Sequence, residues 1–132
     1  CIPESAVYVD LSGVTTITCA SLFIKSGYGT GADNRMQELD LSSLSNVTYA
    51  DFLSGCRALR VLHLAQDINF DLNLSGCYNL LKSSVLDIIN KLKDLTDTGI
   101  SHTLTLGKYH TMELTEEELA IATDKGWTIA VV

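Results

Sequence analysis

The segments Leu53-Ser54-Gly55-Cys56 and Leu74-Ser75-Gly76-Cys77 decide the fold, because the same four residues recur 21 positions apart. In each case a leucine follows three residues after the cysteine, at Leu59 and at Leu80. A tetrapeptide that recurs with a matching flank indicates an internal repeat, and such repeats stack as small structural units. We therefore predict a chain built from short coils, each packed on the one before it.

A second pattern, L-x-x-L-x-L, interleaves with the first. It occurs three times, with methionine and serine replacing the first leucine in the first and last copies: residues 36–41, 59–64 and 101–106. Leucines at alternate positions place one face of a short strand in the core. Parallel stacking would bury the leucines of successive coils together, which one coil cannot do alone. We expect Leu41, Leu64 and Leu106 to lie above one another in one ladder.

Two segments fit this frame less well. Residues 7–12 resemble 38–42 but lie 30 positions earlier, which is more than the 21 residues between the two Leu-Ser-Gly-Cys segments. We assign the extra residues to a surface loop at the glycine-rich residues 27–31. Leu72 and Leu74 alternate only ten positions after Leu62 and Leu64. We assign them to a strand on the opposite side of the same coil, and a slip of the repeat frame at this point is the alternative.

The second half of the chain predicts helices. Residues 84–92 carry apolar side chains at positions 85, 88, 89 and 92, the stripe of an amphipathic helix, with Ser84 as the expected N-cap. Thr115 and Glu118 have the spacing of a capping box, and Gly126 is an expected helix stop. Residues 127–132 then predict a final strand. Together these elements predict the terminal cap that a stack of coils requires.

These patterns predict an α/β protein of short parallel strands that ends in a helix-plus-strand cap. We expect one domain over residues 1–132, with repeats over about 5–80 and the cap over about 81–132. Because the chain begins at Cys1 without a methionine, we expect it to be part of a longer protein. A mature lipoprotein with its lipid on Cys1 is the alternative.

Two regions resemble a known family. Residues 50–59 and 74–80 resemble the BspA-like, or Treponema-type, leucine-rich repeats, and residues 114–130 are similar to the closing unit of such proteins in gut bacteria and their phages. The resemblance runs from about residue 36 to the end of the chain. It implies a leucine-rich-repeat solenoid on a cell surface, outside the cell or on a virion, used for attachment. The chain departs from the family pattern after Leu80, where a helix replaces a strand.

Composition narrows the classes of partner. The net charge is −7 and the nine basic residues are scattered, which argues against a nucleic-acid partner or an anionic membrane surface. No apolar run approaches the roughly 18 residues that span a bilayer, so we expect no membrane insertion. The oligomeric state is left open by the sequence.

Two short motifs resemble known binding sites but lack features that those sites require. Gly27-x-Gly29-x-x-Ala32 lacks the long helix of a dinucleotide fingerprint, and we interpret it as a loop. Asp67-x-Asn69-x-Asp71 begins like a calcium loop, but Leu72 and Tyr78 replace the required glycine and glutamate. We interpret it as a turn carrying polar residues.

The histidines and cysteines do not form a catalytic or metal-binding motif. His63, His102 and His110 lack an i, i+4 partner or an adjacent nucleophile, and no CxxC spacing is present. We therefore expect no enzyme, no cofactor and no metal, with His63 exposed. We expect Cys56 and Cys77 to be stacked buried thiols and not a disulfide.

Residues between the inward leucines align in columns if the strands stack. The middle column is Asp10, Asp40, His63 and Thr105, and the column beside it is Tyr8, Glu38, Val61 and Thr103. Acidic, imidazole and hydroxyl groups suit hydrogen bonding to a protein or a glycan. We predict a binding face at Asp10, Glu38, Asp40, His63, Thr103 and Thr105. A merely solvated face is one alternative, and a structural subunit that packs within a larger assembly such as a phage particle is another.

Overall fold

The computed structural model describes residues 7–19, 22 and 35–132, and these form a mixed α/β structure. Short parallel strands are arranged in three small sheets beside three helices. The strands are β1 (Tyr8–Asp10), β2 (Thr16–Ile17), β3 (Glu38–Leu41), β4 (Asn46–Val47), β5 (Val61–Leu64), β6 (Leu72–Asn73), β7 (Thr103–Leu106) and β8 (Thr128–Val131). The helices are α1 (Lys82–Lys91), α2 (Lys108–Glu113) and α3 (Glu116–Asp124). The glycine-rich stretch 27–32 lies outside the described residues.

The first sheet follows the predicted stacking. Its order is β1-β3-β5, all parallel, and Leu39 is in register with Val9 on one side and Leu62 on the other. Leu41 is likewise paired with Leu64. All four leucines of β3 and β5 are buried, so the period-two pattern does set the inward face. The strands of the second sheet, β2 and β4, are also parallel, and they follow β1 and β3 in the chain.

The two Leu-Ser-Gly-Cys segments are stacked neighbours. A Cβ atom on Gly76 would lie 3.5 Å from the backbone nitrogen of Gly55, and the Cys77 thiol lies 3.9 Å from the carbonyl oxygen of Leu53. Gly55 has a φ of +85°, a left-handed conformation that favours glycine. Cys56 and Cys77 are free and fully buried, as predicted. Burial raises the pKa of both thiols, to about 12 for Cys77.

Helix α1 takes the place of a fourth strand beside β5. Leu81 N–H still donates to the Arg60 carbonyl, but from Lys82 onward the chain is helical. The helix was expected, whereas the prediction of a Ser84 N-cap is wrong: the cap position is Leu81, and no side chain caps it. Ser84 lies within the helix because its hydroxyl bonds β5, accepting from Leu62 N–H at 2.9 Å and donating to the Leu62 carbonyl at 3.3 Å.

After α1, the strand that carries the third copy of the L-x-x-L-x-L pattern, β7, does not join the first sheet. β7 pairs with β6 and β8 in a third parallel sheet, where Leu104 is in register with Leu72 and Ile129. The prediction that Leu106 lies above Leu64 is therefore wrong. The physical reason is that α1 covers the edge of β5, which leaves β6 as the open strand for β7. β6, which contains Leu72, lies in a different sheet from β5, in agreement with its assignment to another side of the coil.

The predicted C-terminal helix and final strand are present as α3 and β8. Thr115 Oγ1 accepts from Glu118 N–H at 3.1 Å, and Glu118 accepts from Thr115 N–H at 2.9 Å, which completes the capping box. Gly126 has a φ of +86° and ends α3, with Trp127 N–H donating to the Ala122 carbonyl. The sequence did not predict α2.

Lys125 links this cap to α1. Its ammonium group donates to backbone carbonyls at the end of that helix, at 2.8 Å for Asn90, 2.9 Å for Leu92 and 3.5 Å for Ile89. The Ile89 carbonyl also accepts from the Leu92 N–H. The carbonyls at this end of the helix carry its negative dipole, so a cation is favoured there.

Candidate functional site

The outward side of the first sheet gathers most of the predicted binding residues. Register places Asp10 beside Asp40 and Asp40 beside His63, while Tyr8 lies beside Glu38. The predicted columns are therefore confirmed across these three strands. We refer to Tyr8, Asp10, Glu38, Asp40 and His63 as the acidic face.

Two of its carboxylates are held by identical turns. Asp10 accepts a hydrogen bond from Ser12 N–H at 2.9 Å, and Asp40 accepts one from Ser42 N–H at 3.0 Å. Hydrogen bonds from Ser12 lower the pKa of Asp10, because they favour the ionised form. In each turn the backbone bond is accepted by Oδ1 of the carboxylate.

His63 contacts Glu38 across the strands. Its Nε2 atom lies 2.8 Å from Glu38 Oε1, and the two side chains are 43% and 41% exposed. A pair this exposed contributes little stability because solvent screens it. It does fix the orientation of both groups. The structure therefore places His63 on the surface, as predicted.

The face has a negative electrostatic environment, to which Tyr8 responds. Partial desolvation raises the pKa of Tyr8, and the nearby carboxylates of Asp10, Asp40 and Glu38 raise it further. The ring of Tyr8 is itself 56% exposed. An aromatic side chain surrounded by fixed carboxylates is a surface that favours positively charged groups.

Thr103 and Thr105 do not belong to this face, and their predicted alignment is wrong. Thr105 is in register with Asn73 and Ala130, and Thr103 with Thr128, all in the third sheet. The cause is that β7 pairs with β6 and not with β5. The acidic face is consequently three strands wide.

Helix α1 forms one wall of a cleft at the edge of the face. Lys91 donates to the Leu64 carbonyl at 3.1 Å and pairs with Asp87 at 3.0 Å. A cleft of about 300 Å³ lies between β5 and α1, lined by Val61, Leu62, His63, Ser83, Ser84, Asp87 and Lys91. Sequence reasoning missed Ser84 and Lys91 as partners of β5, because no local pattern marks a helical side chain that bonds a distant strand.

The other two histidines have structural partners. His110 is buried, accepts from Gly107 N–H at Nδ1 and donates from Nε2 to the Cys77 carbonyl at 2.9 Å. Burial lowers the pKa of His110, so the ring is neutral at pH 7. His102 lies 3.0 Å from Asn69 and 3.3 Å from Asp71, which ties the interpreted polar turn to the start of β7.

In the part of the chain that the structure describes, no group of three His, Cys, Asp or Glu side chains could hold a metal ion. Over the same residues, no helix combines the length and the apolar character that crossing a bilayer requires.

No family model matches the chain, and neither the curated proteins nor the solved structures contain a significant match. The resemblance to BspA-like repeats therefore depends on the repeated segments themselves.

Proposed function

We propose that this chain is a non-catalytic leucine-rich-repeat module that works in attachment at a cell surface, outside the cell or on a virion. We further propose that it recognises a protein with a positively charged surface through the acidic face. The observation that carries the proposal is the register of the first sheet, which brings Asp10, Glu38 and Asp40 together on one face of the sheet.

The arrangement suits association with a cationic partner. Carboxylates held by turns lose little conformational freedom on binding, and their summed field accelerates encounter with Lys and Arg side chains. Exposed Tyr8 adds an aromatic contact of the type enriched in protein interfaces. The net charge of −7 reinforces the same preference at longer range.

Selection from a displayed library of random peptides tests this proposal. We expect the selected peptides to be rich in Lys and Arg, and to bind more weakly as salt concentration rises. Asp40→Lys should weaken their binding at least about tenfold, since it places a like charge in the interface. Asp124→Lys, which reverses an exposed carboxylate on α3, is the matched control and should bind as the wild type does. Peptides that bind Asp40→Lys unchanged would remove the proposal.

A second candidate function is packing within a larger assembly. It is supported by β8, which pairs with β7 on one side and with no other described strand, and by the 50% exposure of Val131. Open strand edges with apolar side chains pair readily with other chains. Sedimentation over a range of concentrations should then show association that Val131→Lys abolishes, and a monomer at every concentration argues against this candidate.

A further inference from the structure

A recess in the described part of the chain lies away from the acidic face. It has a volume of about 630 Å³ and is formed by the turn after Cys77, the start of α1 and helix α2. Its lining residues are Tyr78, Asn79, Leu80, Leu81, Lys82, Tyr109, His110 and Glu113. None of these residues belongs to the acidic face.

Tyr109 is a fixed wall of the recess. Its hydroxyl donates to the Ser75 carbonyl, and its ring lies 4.3 Å from the ring of His110 in an edge-on arrangement. A Cβ atom on Gly107 would lie 2.4 Å from this ring, so only glycine leaves room for it. Burial raises the pKa of Tyr109 to about 12, so the hydroxyl remains a donor. A wall that is already ordered reduces the entropy lost on binding.

Tyr78 supplies an accessible aromatic surface beside it. Its side chain is 52% exposed, and its ring centroid lies 5.4 Å from that of Tyr109. The guanidinium of Arg57 lies 5.6 Å from the Tyr78 centroid. The cation-binding capacity of this ring is therefore already used by the protein.

Polar groups with unused hydrogen-bonding capacity surround the two rings. The Glu113 carboxylate and the Tyr78 hydroxyl form no hydrogen bond or ion pair with any described residue. Asn79 donates its amide to the Arg57 carbonyl at 2.7 Å, which leaves its side-chain oxygen as an acceptor. Lys82 contacts Glu118 at 3.2 Å and retains further donors.

These groups favour a neutral ligand. The recess is lined by one basic and one acidic side chain, Lys82 and Glu113, so its lining does not have a single sign of charge that would select a simple cation or anion. A wholly apolar ligand would cover the Glu113 carboxylate and the Asn79 oxygen without replacing their hydrogen bonds to water, which is unfavourable. A neutral ligand with an apolar ring face and several hydroxyl groups satisfies all of them.

We propose that this recess binds the pyranose ring of a neutral sugar. One ring face packs against Tyr78 and Tyr109, and the hydroxyl groups bond Glu113, Asn79 and Lys82. The site is separate from the acidic face, so a glycan and a protein partner can be bound independently. This division gives the module two recognition surfaces of different chemistry.

Titration of the wild-type chain with maltose, cellobiose, lactose and N,N′-diacetylchitobiose tests the proposal. We expect at least one of these probes to shift the aromatic NMR resonances of Tyr78 and Tyr109 saturably. Tyr78→Ala should weaken that binding about tenfold, the amount expected for loss of one aromatic contact. Glu113→Gln, at the exposed end of α2, should weaken it as well. Tyr49→Ala, which removes a tyrosine of similar exposure outside the recess, is the matched control and should bind as the wild type does.

Two results would overturn the proposal. The first is the absence of a saturable shift with all four sugars up to about 10 mM, a range that includes weak single-site affinities. The second is saturable binding of tetramethylammonium or inorganic phosphate at the same resonances, which would identify an ionic site. Circular dichroism of each variant checks that it is folded. Loss of peptide binding at the acidic face would leave these results unchanged, so the two proposals can fail separately.

Discussion

Replacement of Ser84 by alanine should destabilise the protein far more than its small size suggests. The Ser84 hydroxyl is 6% exposed and serves both the N–H and the carbonyl of Leu62, at the edge of β5. Removal leaves two buried backbone groups without partners. Each unsatisfied buried group costs about 1–3 kcal/mol, and the longer of the two bonds contributes at the lower end. We therefore expect the free energy of unfolding to fall by about 2–4 kcal/mol.

Ser83→Ala is the matched control, because Ser83 is the adjacent helical residue and is exposed. Both substitutions gain the same helix propensity of about 0.5 kcal/mol, so the difference between them isolates the contact with Leu62. Urea unfolding followed by the fluorescence of the single, buried Trp127 measures both variants. Equal unfolding midpoints for the two variants would refute the role assigned to Ser84.

Three other predictions concern the cap and the buried histidine. Lys125→Met removes the cation from the end of α1 and should lower the free energy of unfolding in urea by about 1–2 kcal/mol. Lys93→Met is the control, and it should change this free energy by less than about 0.5 kcal/mol. Gly126→Ala forces a left-handed φ on alanine and should lower the free energy of unfolding by about 1–2 kcal/mol. Gly13→Ala should change it little, because a Cβ atom there meets nothing within 4 Å. Equal unfolding midpoints for these two variants would contradict the reasoning. Burial lowers the pKa of His110 in the folded protein, so as pH falls below about 6.5 the unfolded chain takes up this proton before the folded chain does. The stability of the wild type should therefore fall as pH is lowered below about 6.5. His110→Gln should lack this loss of stability at low pH. An equal loss in the wild type and the variant would contradict the prediction.

The sequence predicts the first sheet well because the repeat itself contains the register. The spacing from Leu39 to Leu62 and the recurrence of Leu-Ser-Gly-Cys define which residues stack, and each strand alternates inward and outward residues. The capping box at Thr115 and the glycine stop at Gly126 are equally local signals. The Asp10, Glu38, Asp40 and His63 part of the candidate site follows from this register alone.

The position of β7 could not be predicted from the same pattern. Residues 101–106 carry the L-x-x-L-x-L frame, and that frame fits β5 and β6 equally well. The choice is made by α1, which occupies the edge of β5 before β7 is reached in the chain. Ser84 was misassigned for the same reason, since serine favours an N-cap locally but here bonds a strand far away in sequence. Tyr78 and Tyr109 meet only because α2 folds over the turn after Cys77.

Helix α1 thus limits the acidic face as well as the sheet. A parallel strand beside β5 would have continued the columns of Asp40 and His63, whereas a helix satisfies the edge through two side chains, Ser84 and Lys91. This arrangement closes the edge to pairing with other chains, which an exposed strand of that length would invite. It also places a positive charge, Lys91, at the boundary of a negative surface. A partner of the acidic face is therefore confined to the width of three strands, about 10 Å between the outer two at the usual strand spacing.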